Sequence, residues 1–181
     1  MKKVCVILSE GFEEVEAITV IDVLRRADLM VEVLGVGDTK ITGAHNVTLF
    51  CDDVFDYSIA TDFDCVVLVG GMRNAIALSE NQMILDALNK CYEEDDVIAG
   101  ICATPSLVFS KCEWFDGVMA TCYPSDDLVK NLGDNFVDED VVVFGNVITS
   151  QSPATAMEFA FAIIEKLGVD ASDVKIGLKG K

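Results

Sequence analysis

A doubly wound α/β sandwich, with a mostly parallel sheet covered by helices on both faces, is the architecture this sequence predicts. Three observations carry the prediction. Short Val- and Ile-rich runs alternate with helix-length amphipathic segments, and alternating βα units place successive strands in parallel. The run Cys65-Val66-Val67-Leu68-Val69 is apolar at every position, as strands covered on both faces are. Hydrophobic residues make up 51% of the 181, enough for a sizeable core in one domain, taken here as residues 1–181.

Residues 4–8 form the expected first strand. Lys2-Lys3 followed by that run has the look of a secretory leader, but the apolar part is too short and passes at once into Ser9-Glu10-Gly11. Residues 13–28 follow as a helix, with Val15, Ile18, Ile21 and Leu24 spaced for a buried face. Residues 31–36 make the second strand, and 39–51 a small hairpin with Gly43 in its region. After the central strand at 65–69 come helices over 73–79 and 81–93, a strand over 97–101 leading into Cys102, and a helix over 104–112. Residues 118–121 read as another strand and 126–132 as a short helix. Residues 141–144 and 146–149 resemble a hairpin around Gly145-Asn146. Residues 153–167 form the terminal helix, with Ala156, Phe159, Ala160, Ile163 and Ile164 inward and Pro153 where a first-turn proline is tolerated. Residues 172–181 are a short appended helix or a loose tail.

The formal charge is −18, from 13 Lys and Arg against 31 Asp and Glu. A phosphate backbone would be repelled and no basic stripe compensates, so stable nucleic-acid binding is not expected. No apolar stretch approaches the ~20 residues that cross a bilayer, so no membrane segment is expected. The seven cysteines (5, 51, 65, 91, 102, 112 and 122) are odd in number and include no C-x-x-C pair. That argues against a disulfide framework or a zinc site and for a reducing compartment. With no targeting segment, the cytoplasm is the expected location. There is no EF-hand loop, and Gly35-Val36-Gly37 lacks the spacing of a dinucleotide fingerprint. Neither metal nor cofactor is expected.

Cys102 ends the apolar run Val97-Ile98-Ala99-Gly100-Ile101, sits among small residues and precedes a helix-like stretch. This is the plan of a nucleophile elbow, whose hydrolase form is G-x-S-x-G and whose counterpart here is Gly100-Ile101-Cys102-Ala103-Thr104. Small neighbours let a tight turn hold the side chain in a strained, exposed pose, and a helix start favours thiolate. The same text also describes a buried structural cysteine, since free Cys is among the most buried residue types. Gly70-Gly71, directly after the central strand, is by itself a tight turn. Beside a nucleophile its backbone N–H groups become an oxyanion nest.

Glu13, Glu14 and Glu16 open the first helix, where carboxylates complement the macrodipole; that accounts for Glu13 and Glu14. Glu16, between Val15 and Ala17, falls close to the buried phase. A buried carboxyl resists ionisation, and one that reaches Cys102 can hydrogen-bond the thiolate and shuttle a proton. His45, the only histidine, lies in the hairpin and is not expected at Cys102. Arg25-Arg26 read as cations at a helix end, with an interface or an anionic ligand as the functional alternative. The acidic run 93–96 reads as a solvated helix end.

The segments Gly11-Phe12-Glu13-Glu14-Val15-Glu16, Asp22-Val23-Leu24-Arg25-Arg26-Ala27, Val67-Leu68-Val69-Gly70-Gly71, Ala99-Gly100-Ile101-Cys102-Ala103-Thr104-Pro105 and Thr149-Ser150-Gln151-Ser152-Pro153-Ala154-Thr155-Ala156-Met157-Glu158-Phe159 together resemble the DJ/ThiJ/PfpI superfamily. The resemblance is to the branch holding the parkinsonism-associated protein and bacterial ThiJ-like proteins, and it covers nearly the whole chain in family order. It implies a flavodoxin-like sandwich, a homodimer and no cofactor. It places Cys102 as the nucleophile and Glu16 as its protonated partner. It puts the amides of Gly70, Gly71 and Ala103 around a small anionic pocket, with Tyr123, Pro153 and Arg26 as further pocket candidates. Two departures stand out. Tyr123 occupies the place before Pro124 where many relatives carry histidine, which argues against a His-assisted mechanism and a peptidase. The family's Ser-x-Gly-Pro-Gly-Thr block is here Ser150-Gln151-Ser152-Pro153-Ala154-Thr155.

Members of the superfamily are described as glutathione-independent glyoxalases or protein deglycases acting on methylglyoxal, glyoxal and their early protein or nucleotide adducts. They are also described as oxidative-stress sensors and chaperones whose cysteine becomes a sulfinate. The leading expectation is thiol-dependent glyoxalase or deglycase chemistry on small reactive aldehydes. The alternative is a protective redox sensor.

Overall fold

Apolar runs become strands in this chain wherever both of their faces can be covered. The computed structural model describes residues 1–56 and 62–180. Its strands are β1 (Lys3–Leu8), β2 (Met30–Gly35), β3 (Lys40–Thr42), β4 (Thr48–Phe50), β5 (Asp53–Val54), β6 (Cys65–Leu68), β7 (Val97–Ile101), β8 (Val141–Phe144) and β9 (Val147–Ser150). Its helices are α1 (Glu14–Arg26), α2 (Met72–Ser79), α3 (Gln82–Glu93), α4 (Thr104–Leu107), α5 (Asp126–Leu132), α6 (Ala156–Lys166) and α7 (Ser172–Leu178).

Among the described residues the main sheet runs β5-β2-β1-β6-β7-β9-β8. Every pairing is parallel except β8 with β9, which closes one edge antiparallel. β3 and β4 pair as a separate hairpin, with Ile41 opposite Leu49. The expected doubly wound sandwich with helices on both faces is what forms. In β1, Val4, Val6 and Leu8 point into the layer shared with α1, α6 and α7, while Cys5 and Ile7 point into the layer shared with α2, α3 and α5. All five expected inward residues of the terminal helix are buried. No helix among the described residues is long and apolar enough to cross a membrane.

Four local expectations are revised. In α1 the buried side carries Glu16, Ala17, Val20, Val23 and Leu24, whereas Val15 and Ile18 are 54% and 45% exposed. Apolar residues occur on both sides of this helix, and the side that meets the sheet is the one from which Glu16 reaches a backbone amide of the next βα turn. Residues 118–121 form no strand; the segment makes a single bridge, Ala120 to Phe136, because β9 and β8 already complete that side of the sheet. The helix expected over 104–112 breaks after Leu107 into a 3₁₀ turn, Phe109–Lys111. The Phe109 ring there fills the space beside Gly100, where a Cβ would lie 2.5 Å from it. Pro153–Thr155 is likewise a 3₁₀ turn ahead of α6, and the residues after 172 fold as α7.

Candidate active site

Three strand ends and the start of α1 converge on Cys102. The cysteine takes φ +66°, a left-handed conformation that costs a non-glycine residue about 1–2 kcal/mol. Two backbone hydrogen bonds hold it there. Its N–H donates to the Ser150 carbonyl at 2.9 Å, and its carbonyl accepts the Tyr123 N–H at 2.8 Å. Behind it, the Thr104 hydroxyl donates to the carbonyls of Ile101 and Leu68, tying the turn to two neighbouring strands. Cys102 is partly exposed, and the other six cysteines are buried.

Glu16 lies under the thiol with no exposed surface. Its Oε2 accepts the Gly70 N–H at 2.6 Å, its Oε1 has no hydrogen-bond partner among the described residues, and the carboxyl and the Cys102 side chain both crowd the space beside Gly70. Burial raises its pKa to about 7, against the opposing pull of the Gly70 amide and the thiol. Burial and the nearby Glu16 charge push the Cys102 thiol up, while the backbone amides of Gly71 and Ala103 pull it down. The simple expectation of a thiol acidified by a helix start is thus corrected, since α4 is only one turn long and burial dominates. Ionisation at sulfur is favoured only when Glu16 carries the proton, which removes the repulsion and supplies a donor.

Gly70 and Gly71 have separate tasks. A Cβ on Gly70 would lie 2.5 Å from Cys102 Cβ and 2.8 Å from Glu16 Oε2, so the thiol and carboxyl meet because that side chain is missing. The Gly70 N–H is occupied by Glu16, which corrects its expected place as an oxyanion donor. Gly71 needs glycine on two counts, φ +90° and a Cβ position 2.3 Å from the Gly11 carbonyl oxygen. Asn74, fully buried, fixes this turn. Its Oδ1 accepts the Ser9 N–H, and its Nδ2 donates to the carbonyls of Val69 and Gly70.

Above the sulfur opens a hollow of about 300 Å³. Cys102, Gly71 and Ala103 line it together with Met72, Tyr123, Leu128, Pro153 and Glu13. The structure therefore gathers Cys102, Glu16, Gly70, Gly71, Ala103, Tyr123 and Pro153, and it does not bring Arg26 to them. Arg26 binds Asp22 one turn earlier in α1 at 2.6 Å and borders a different hollow, beside α7.

Glu14 has a role that helix-dipole reasoning missed. Its carboxylate is buried and accepts from His45 N–H (2.6 Å), Val47 N–H (3.3 Å) and His45 Nδ1 (2.9 Å), clamping the β3–β4 turn onto α1. These donors hold the Glu14 pKa below its ordinary value although burial opposes them. Gly43 leaves the room, for a Cβ there would lie 2.4 Å from the carboxylate. His45 stays with Glu14, as expected of a residue that does not serve Cys102.

The sequence profile of the DJ-1/PfpI family matches residues 2–166. The chain belongs to the DJ-1/PfpI family. It is 39% identical over 170 residues to protein dj-1beta of Drosophila melanogaster, covering 92% of this chain and 89% of that one. It is 32% identical over 157 residues to deglycase TK1284 of Thermococcus kodakarensis, covering 83% and 90%. Two Arabidopsis thaliana relatives, DJ-1 homologs B and A, match at 35% and 36% identity, and the chain spans only 37% and 42% of their lengths. The structure of oxidised Toxoplasma gondii DJ-1 superposes with a TM-score of 0.91 at 28% identity over 98% of each chain, in keeping with the flavodoxin-like sheet.

Proposed function

We propose that this member of the DJ-1/PfpI family is a cofactor-free glyoxalase or deglycase that acts on methylglyoxal-type 2-oxoaldehydes and their early adducts through Cys102. The observation that carries the reading is the buried Glu16 carboxyl, poised near pH 7, against an accessible thiol whose sulfur also faces the Gly71 and Ala103 amides. Glu16 takes the thiol proton as sulfur adds to the aldehyde carbon, and the new alkoxide is stabilised by those amides. Return of the proton gives a hemithioacetal. Glu16, again a carboxylate, removes the C–H proton from the former aldehyde carbon to give an enediolate. The hydroxyl proton on that carbon passes to the neighbouring oxygen, and Glu16 returns its proton to the adjacent carbon, leaving a 2-hydroxy thioester. Water then releases the 2-hydroxy acid and restores the thiol. On a glycated amine, the same attack displaces the amine from its aminocarbinol and enters the sequence at the hemithioacetal. A carboxyl near pH 7 suits a group that must both take and give a proton. The deglycase from Thermococcus, similar over most of both chains, supports the choice.

The test is lactate formation from methylglyoxal without glutathione, comparing the native protein with Cys102→Ser and Glu16→Gln. Turnover lost in both variants is expected; equal background in all three would sink the proposal. A second reading, a redox sensor, draws on the same donors around sulfur, which would hold a sulfinate oxygen, and on the oxidised Toxoplasma relative. Intact mass after mild peroxide tests it, and oxidation of other cysteines with Cys102 untouched would end it. A homodimer belongs with either reading. Val15 and Ile18 on α1 and Val47 and Phe50 in the hairpin are exposed apolar side chains on elements joined through Glu14. Light scattering should give twice the chain mass, and Val15→Asp should shift it toward monomer.

A further inference from the structure

The hollow over Cys102 is one-sided in charge. Glu13 lines it, and among the described residues that line it there is no Lys, Arg or His. Asp126 and Asp127 open α5, the helix that supplies the wall residue Leu128. Glu13 is not a free surface side chain. Its N–H donates to the Gly70 carbonyl at 3.0 Å and its own carbonyl accepts from Ala17, which fixes its backbone over the glycine turn, and its side chain is only 16% exposed. Its carboxylate lies 3.9 Å from His45 Nδ1, but that ring nitrogen is already held by Glu14 at 2.9 Å. The field of Glu13 reaches the reacting pair, where it disfavours charge on Glu16.

We infer that Glu13 makes this hollow selective for uncharged or cationic carbonyl compounds and against those carrying a carboxylate or phosphate. The inference rests on the proposed reactivity of Cys102 and adds the class of electrophile it accepts. An anionic group entering beside the sulfur meets Glu13 with no Lys, Arg or His lining the hollow, since the neighbouring His45 ring is taken up by Glu14, and it loses solvent as it enters. A neutral 2-oxoaldehyde, or an adduct on a lysine or arginine side chain, meets no such barrier. A single unit charge about 6 Å away across a partly wet gap changes a rate by roughly three- to tenfold.

Alkylation separates this inference from the enzymatic reading. Iodoacetamide and iodoacetate react with a thiolate by the same displacement, sulfur bonding to the methylene carbon as iodide leaves, and differ in charge. The ratio of their rates at Cys102, read by peptide mass spectrometry at low salt and referred to the same ratio for 2-mercaptoethanol, cancels the reactivity of the thiol itself. The native ratio should favour iodoacetamide by about three- to tenfold over the reference. Glu13→Gln should remove most of that preference, and Glu13→Asp, which keeps the charge, should retain it. The matching enzymatic arm is kcat/KM for methylglyoxal against hydroxypyruvaldehyde phosphate, a 2-oxoaldehyde that carries negative charge, whose ratio should fall in Glu13→Gln by a similar factor. An unchanged alkylation ratio in a folded Glu13→Gln protein overturns the inference. A shifted alkylation ratio without methylglyoxal turnover would uphold it and reject the glyoxalase. A Cys102 inert to both reagents would reject both.

Discussion

Replacing Glu16 with Gln should make the protein more stable at neutral and alkaline pH, and the gain should vanish in acid. The carboxyl is fully buried, and its pKa moves from 4.5 to about 7. Below pH 4.5 the group is protonated in folded and unfolded chains alike. Between the two values the unfolded chain has released its proton while the folded chain keeps it, so stability falls as pH rises. Above about 7 the full penalty is present, roughly 3 kcal/mol for a displacement of this size. Gln is close to isosteric, its Oε1 can accept the Gly70 N–H in place of the carboxylate, and it does not ionise. Any constant gain or loss from the amide applies at every pH, so the slope isolates the titration. Urea unfolding of both proteins from pH 4.5 to 8 should show the variant gaining about 3 kcal/mol across the range, or roughly 6–12 °C in melting temperature for a chain of this size. A difference that stays flat with pH would mean that Glu16 titrates as an ordinary carboxylate, and the proton-sharing argument for Cys102 would go with it.

Gly70→Ala places a methyl group between Cys102 and Glu16. It should cost about 1–3 kcal/mol from overpacking and cut turnover on the order of 10²-fold through misplacement of the pair; a variant with native melting and native rate would refute the close approach. Gly177→Ala is the opposite case, since Gly177 lies in α7 with nothing near its Cβ position. It should stabilise by roughly 0.5–1 kcal/mol, and a lower melting temperature would contradict that. Glu14→Gln weakens charge-assisted hydrogen bonds to the hairpin, so the amides of His45 and Val47 should exchange faster with solvent while those of β1 and β6 remain protected. Because the Glu14 pKa is lowered in the folded chain, the stability it supplies is present above its ordinary value and lost as pH falls through the lowered one. Native hairpin amides should therefore lose protection in acid, and the variant's should show less of that dependence.

The sheet was legible because its strands leave little ambiguity: an all-apolar run such as Cys65–Leu68 has one stable place, between two helical layers. α1 was harder. Apolar residues at 15, 17, 18, 20, 21, 23 and 24 allow more than one buried stripe, and the one buried here is the one that lets Glu16 accept a hydrogen bond from an amide 54 residues away. The Glu14 clamp was hidden for the same reason, as its partners lie 31 and 33 residues downstream. Residues 118–121 look like a strand by composition, but strand formation needs a neighbour, and the segment finds only a single bridge, Ala120 to Phe136. The elbow at Cys102 could be read from small residues around a nucleophile. Its coupling to Glu16 through the absent side chain of Gly70 could not, because it joins α1 to two separate βα turns. Arg26 is a pocket candidate only through the family resemblance, and the structure pairs it with Asp22 beside a different hollow, in line with the reading of Arg25-Arg26 as cations at a helix end.

The left-handed backbone at Cys102 has a consequence for anyone who selects this protein for robustness. Glycine adopts that conformation freely, and Cys102→Gly would also clear atoms from the crowded space beside Gly70. Folding and chemistry thus pull in opposite directions at one codon. A library screened only for heat resistance or expression would drift toward glycine there, enriching inert proteins that keep the sheet, the hollow and the buried carboxyl intact.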